Sequence, residues 1–208
     1  LARARAALGG RRALCVFLGS RAGAQPEYIA AAQALGAAMA RRGVALVYGG
    51  GNVGLMGELA RSVDKNGGTV VGIIPHALAT RELSGFGVQI ENTIFTNSMH
   101  DRKAIMASLS SAFVVLPGGF GTMEECVEVI TWTQLGIHNK AVGMLNTCGF
   151  WSHFHQMFQH AVKEGFISES NLDIVVLEEN VDKMLDKILS HVPPAGLTSS
   201  WGSLIKDT

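Results

Sequence analysis

A glycine-rich turn running into two glutamates carries residue types that hold phosphate and break bonds. It reads LPGGFGTMEECVEVITW, from Leu116 to Trp132. Glycines at 118, 119 and 121 let backbone N–H groups approach an anion closely, and a helix after the turn adds its positive end. Glu124 and Glu125 would lie beside that anion, where a carboxylate binds a sugar hydroxyl or orients a water. The same residues have a purely structural use. Thr122-Met123-Glu124-Glu125 opens a predicted helix, and in the Thr-x-x-Glu pattern the glutamate bonds back to the N-cap residue. Glu128, further along, reads as solvated or packing.

A second stretch, NSMHDRKAIM over residues 97–106, is equally two-sided. Ser98 or Asn97 can cap a helix whose start carries His100, Asp101, Arg102 and Lys103. Asp101 favours a helix start electrostatically, whereas Arg102 and Lys103 oppose one. A bound anion would compensate these misplaced cations. His100 reads as either a pocket acid or a cap residue. His153 and His155 are two apart on a predicted helix, face different directions and make a poor metal pair.

Two further glycine turns follow strand-like runs: GSRAG (19–23) and YGGGNVGLMG (48–57). Gly49, Gly51 and Gly54 spell G-x-G-x-x-G, but a dinucleotide site also needs a carboxylate about 20 residues on to hold the ribose. TVVGIIPHAL offers none there, and GxxxxGK[ST] is absent. NAD and ATP hydrolysis are disfavoured, leaving a mononucleotide or sugar phosphate. Glu82 is the first carboxylate after the third strand; it is read as a loop residue with a binding role open.

The elements that must position these residues are legible from Ala13 onward. Continuous apolar runs read as strands covered on both faces: ALCVFLG, VALVYGG, TVVGIIP, VQIENTIF, SAFVVLPGG, KAVGMLN and LDIVVLE. Between them, helices are predicted over 27–42, 55–66, 99–109, 123–135, 151–164 and 181–190. The expected fold is α/β, a Rossmann-like doubly wound, mainly parallel sheet of about seven strands in a single domain with helices on both faces. Its ligands should gather at the carboxyl ends of the strands. Residues 13–192 are expected to form the domain. Residues 193–208 would be a flexible tail. LARARAALGGRR (1–12) would be a disordered, tag-derived or transit-derived segment or a frayed helix, because it is rich in Arg and Ala, lacks acid and lacks an initiating Met.

Lys plus Arg and Asp plus Glu both number 17, so the formal net charge is zero and no basic field invites nucleic acid. No apolar run approaches the roughly 20 residues of a membrane span. Three cysteines, Cys15, Cys126 and Cys148, lack CxxC spacing and suit a reducing compartment, the cytoplasm or an organelle.

Together, YGGGNVGLMG, SMHDRKAIM and PGGFGTMEE resemble the LONELY GUY cytokinin-activating enzymes, long labelled lysine decarboxylases; the last fits the pattern PGGxGTxxE. The resemblance covers roughly 13–189, including EVITWTQLGIHNKAVGMLN. It implies a phosphoribohydrolase that cleaves the N-glycosidic bond of an N6-modified adenosine 5′-monophosphate, giving free base and ribose 5-phosphate without cofactor or metal. It implies Arg102 and Glu125 as catalytic residues. As nucleotide-binding residues it implies Lys103, Gly118, Gly119, Gly121, Thr122 and Glu124, with Met99, Phe120 and Met123 from the same motifs, Glu82 from a loop, and Thr131 from a helix. It also implies a homodimer or higher oligomer. Many members carry Cys-Gly-Ser-Ser where this chain reads Leu-Gly-Ser-Arg (18–21), so Ser20 is taken as a ligand against that departure, and Cys126-Val127 replaces paired leucines.

The chemistry suits the residues. Cleavage passes through an oxocarbenium-like sugar, which a carboxylate such as Glu125 stabilises while orienting water. Two competitors stand beside it. A decarboxylase would need pyridoxal phosphate on Lys65, Lys103 or Lys140, none in a context that marks such a site. A non-catalytic nucleotide carrier on the same fold would explain the glycine turns equally well.

Overall fold

The computed structural model describes residues 1–82 and 92–191. The tail expected over 193–208 and the first half of the VQIENTIF run lie outside the described residues.

Seven strands form one sheet: β1 (Ala13–Phe17), β2 (Ala45–Tyr48), β3 (Val70–Pro75), β4 (Thr93–Thr96), β5 (Ala112–Val115), β6 (Val142–Leu145) and β7 (Val175–Glu178). Their order is β4-β3-β2-β1-β5-β6-β7, and every pairing is parallel. Six of them follow the expected runs directly. Side chains alternate between two cores, as strand geometry requires. Leu14 and Val16 pack with α2 (Pro26–Arg41), α3 (Gly54–Lys65) and α8 (Val181–Leu189). Cys15 and Phe17 face the other layer, which holds α5 (Met99–Leu109), α6 (Phe120–Gln134) and α7 (Ser152–Lys163).

α1 (Ala2–Leu8) forms in the segment read as disordered, tag- or transit-derived, or a frayed helix, and it buries Ala4 and Leu8 in the second core. Its alanines give it high helix propensity, and one apolar stripe is enough to dock it. α4 (His76–Glu82) is a seven-residue helix straight after β3, so Glu82 ends a helix rather than sitting in a loop.

Strand order reverses between β1 and β5. That is the switch point where the connections leave a crevice at the carboxyl edge. The turns after β1 and β5 flank it, joined by Gly19 N–H donating to Pro117 O at 3.1 Å. The turn after β2 locks onto the first, with Leu55 N–H donating to Gly19 O at 3.1 Å.

Candidate active site

α6 begins at Phe120, with Gly119 as its N-cap and no side-chain cap. This start lies three residues before the expected one, and it removes the capping-box reading of Glu125. Thr122 stands inside the helix, not at its cap, so Glu125 cannot close a capping box with it. Thr122 is buried, and its side chain lies where a Cβ on Gly118 would fall. Gly119 and Gly121 instead have nothing within 4 Å of an added Cβ. The first amides of α6 have no intrahelical acceptors, as in any helix. The turn therefore presents N–H groups to open space at a positive helix end.

That space is a cavity of about 300 Å³ at the switch point. Ser20, Met99, Arg102, Gly119, Phe120, Gly121, Thr122, Glu124 and Glu125 all line it, joining most of the expected site. Gly49, read above only as part of the G-x-G-x-x-G pattern, lines it too, as do Leu78 and Met106. Met99, Arg102 and Met106 follow helical spacing, which could have revealed the shared face. Leu78 lies on the unanticipated α4, four residues before Glu82 in sequence.

Neighbouring residues on α5 have opposite fates. Ser98 caps the helix, its hydroxyl accepting from Asp101 N–H at 3.0 Å. Lys103 does not line the cavity. Its Nζ donates to Glu124 Oε1 at 2.5 Å and Glu128 Oε1 at 3.0 Å. These carboxylates supply the compensation that was expected from a ligand, and they give Glu128 a fixed partner. Burial works against the Lys103 charge, but the two bonds outweigh it and hold its pKa above the usual lysine value. Arg102 is only 6% exposed and faces the cavity. Its Nη1 reaches Met99 Sδ at 3.7 Å, and its buried Nε has no hydrogen-bond partner among the described residues. A guanidinium with an unsatisfied buried donor is a strong anion seat.

Glu125 is half-buried and acts electrostatically on β1. Burial first, and then the Glu125 charge, push the Cys15 thiol up. Cys15 and Cys126 are both buried. Among the candidate decarboxylase lysines, Lys140 donates from Nζ to Ala107 O at 2.6 Å and Lys103 is paired as above.

Besides Lys103, three more expected ligands lie elsewhere. Gly118 borders a neighbouring hollow of about 330 Å³ with Arg21, Tyr28 and Phe150, which shares Ser20 and Gly119 with the main cavity. Met123 packs against the core formed with α5 and α7. Thr131 Oγ1 donates to Val127 O at 2.8 Å and lines a small apolar hollow facing Phe158. His153 Nδ1 lies 3.2 Å from Gln156 Oε1. Among the described residues no group of three or more His, Cys, Asp or Glu could hold a metal ion, and no helix is long and apolar enough to cross a membrane.

Fold and site together define a Rossmann-like α/β protein with a cavity at the switch point of its sheet, lined by a buried arginine, two glutamates and a helix N-terminus. The family model described as "Possible lysine decarboxylase" matches residues 56–188. A probable cytokinin riboside 5′-monophosphate phosphoribohydrolase of Oryza sativa subsp. japonica is 46% identical over 88% of this chain and 74% of its own length. A cytokinin riboside 5′-monophosphate phosphoribohydrolase of Arabidopsis thaliana is 45% identical, covering 88% and 84%. The chain belongs to this family, the one that contains the LONELY GUY phosphoribohydrolases. The fold extends further: the molybdenum cofactor carrier protein of Chlamydomonas reinhardtii superposes with a TM-score of 0.65 over 87% of this chain and 99% of its own, at 21% identity.

Proposed function

We propose that the protein hydrolyses the N-glycosidic bond of N6-modified adenosine 5′-monophosphates, releasing the free base and ribose 5-phosphate. The observation that carries this reading is the meeting of Glu125, Arg102 and the Gly119–Thr122 turn on one cavity wall, with Glu125 outside any capping box. The relatives at 45–46% identity bear names for that activity.

The 5′-phosphate rests on the amides of Gly119, Gly121 and Thr122, with Ser20 opposite. Binding energy at this remote group holds the scissile bond in place. The Glu125 carboxylate faces the ribose, where it stabilises positive charge at C1′ and accepts a proton from the attacking water. The C1′–N bond breaks as the water oxygen bonds to C1′, and the bond's electron pair leaves with the base. The departing base takes a proton on nitrogen. His100 and Asp101 do not line the cavity, so that proton comes from solvent or from the carboxyl that Glu125 has become. Arg102 holds negative charge on the phosphate or on the leaving base, and Glu124, steadied by Lys103, binds a ribose hydroxyl. Met99, Met106 and Leu78 give the base an apolar wall, and Glu82, at the end of α4, serves as a further nucleotide ligand.

We further propose a homodimer that works in the cytoplasm or in another reducing compartment. Phe120 is 92% exposed at the start of α6 and Leu135 66% at its carboxyl cap, which suits a face covered by a second copy.

The test is product analysis. Isopentenyladenosine 5′-monophosphate incubated with the protein should yield isopentenyladenine and ribose 5-phosphate, with the riboside left intact. Nucleotide that binds yet is recovered unchanged after hours would make the protein a carrier instead.

A further inference from the structure

Gly49 ends the run ALVYG at the carboxyl end of β2, and it forms cavity wall together with Arg102. A Cβ built on Gly49 would overlap Arg102 Nη2, lie 3.0 Å from Cζ and stand 3.5 Å from Nε. All three are guanidinium atoms. The neighbouring glycines are there for a different reason. Gly50 at φ +78° and Gly54 at φ +56° need glycine for their backbone. Gly49 lies outside the left-handed region. Alanine would therefore suit the Gly49 backbone, and what glycine supplies is room for one cation.

That room matters because Arg102 has little else to hold its head. Its Nε lacks a partner, and Met99 Sδ is a weak acceptor for Nη1. With the side chain almost wholly buried, a guanidinium pushed off Gly49 moves into the free space it borders. That space is the cavity itself. The displaced cation would then stand where a ligand must sit, away from the charge it serves.

We infer that Gly49 is a positioning residue for Arg102: its missing side chain is the seat that sets the guanidinium against the nucleotide. The inference rests on the proposed reading of Arg102 as a ligand-directed cation. The G-x-G-x-x-G motif marks Gly49, but its distance from Arg102 in sequence, across two strands and two helices, hides their pairing.

The experiment is a double-mutant cycle of wild type, Gly49→Ala, Arg102→Ala and the double variant. Its readouts are Tm, AMP affinity by calorimetry, and kcat and KM on isopentenyladenosine 5′-monophosphate. In the Arg102 background, Gly49→Ala should lower kcat/KM about 10- to 100-fold, weaken AMP binding and reduce Tm. In the Arg102→Ala background the same alanine should change AMP affinity and Tm hardly at all. Equal losses in both backgrounds, or a Gly49→Ala protein indistinguishable from wild type, would overturn the inference. Should Gly49→Ala alone fail to fold, recovery of folding in the double variant supports the seat, and failure of both contradicts it. The Tm arm needs no substrate, so it separates this inference from the proposed reaction.

Discussion

The two edges of the sheet use positive charge in opposite ways. At the amino edge, Arg12 donates from Nε to Ser111 Oγ at 3.1 Å and from Nη1 to Leu189 O at 2.6 Å, which caps the end of α8. Lys140 does the same for α5 through Ala107 O. Cations at helix carboxyl ends meet negative dipole ends and unpaired carbonyls, so the charges there are used up in closing the structure. At the carboxyl edge, Arg102 sits in the first turn of α5, where the dipole opposes it, with a buried donor unsatisfied. A fold that can pair its cations at one edge and leaves one waiting at the other marks the second edge as the working one.

The comparison can be broken by substitutions that act on rate at one edge and on stability at the other. The largest effect is expected from Glu125→Gln. It should cut kcat by about 10²- to 10⁴-fold while Tm stays near wild type, measured by base release and thermal melting. Arg102→Ala should follow with a loss of about 10²- to 10³-fold in kcat/KM. Its melting temperature should not fall, because the variant removes an unsatisfied buried donor.

At the other edge, His138 is buried between the end of α6 and the start of β6, and it accepts Lys140 N–H at Nδ1. Burial, followed by the Lys140 charge, pushes its pKa down to about 4 from the usual 6.5. The unfolded chain therefore binds a proton that the folded one refuses. Stability present above pH 6.5 should fall as pH drops toward 4, by about 3 kcal/mol at the lower end. Melting curves across that window should show this slope in wild type and a shallower one in His138→Asn, whose side-chain oxygen still accepts the amide. The smallest effect is expected from Lys140→Met, which leaves Ala107 O without its cap. It should lose about 1 kcal/mol in denaturant melts, with turnover per folded molecule unchanged.

Much of this arrangement was legible in the sequence, for physical reasons. A parallel sheet covered on both faces needs continuous apolar runs, and those runs stand out at β1, β2, β3, β5, β6 and β7. Glycines at 118, 119 and 121 mark a turn whether or not a ligand is there. What misled was the start of α6. Thr122 and Glu125 carry the spacing of a capping box, but a glycine N-cap has no side chain to announce it, and the helix begins earlier. α4 is too short to have a period, and α1 is too rich in alanine and arginine to look like core. Hidden altogether were the pairings made in space. Lys103 meets Glu124 and Glu128 because α5 and α6 pack side by side, so a cation that looked like a ligand for phosphate became a brace for carboxylates. Gly49 and Arg102 meet only once β2 and α5 are assembled.

The most direct measurement is a crystal structure of Glu125→Gln holding uncleaved isopentenyladenosine 5′-monophosphate. Phosphate oxygens should lie on the amides of Gly119, Gly121 and Thr122, C1′ should face the residue 125 amide, and the base should lie beside Met99 and Leu78 with Arg102 against the nucleotide. A nucleotide bound away from the cavity at the β1–β5 switch point, or one whose C1′ points away from residue 125, would contradict this arrangement.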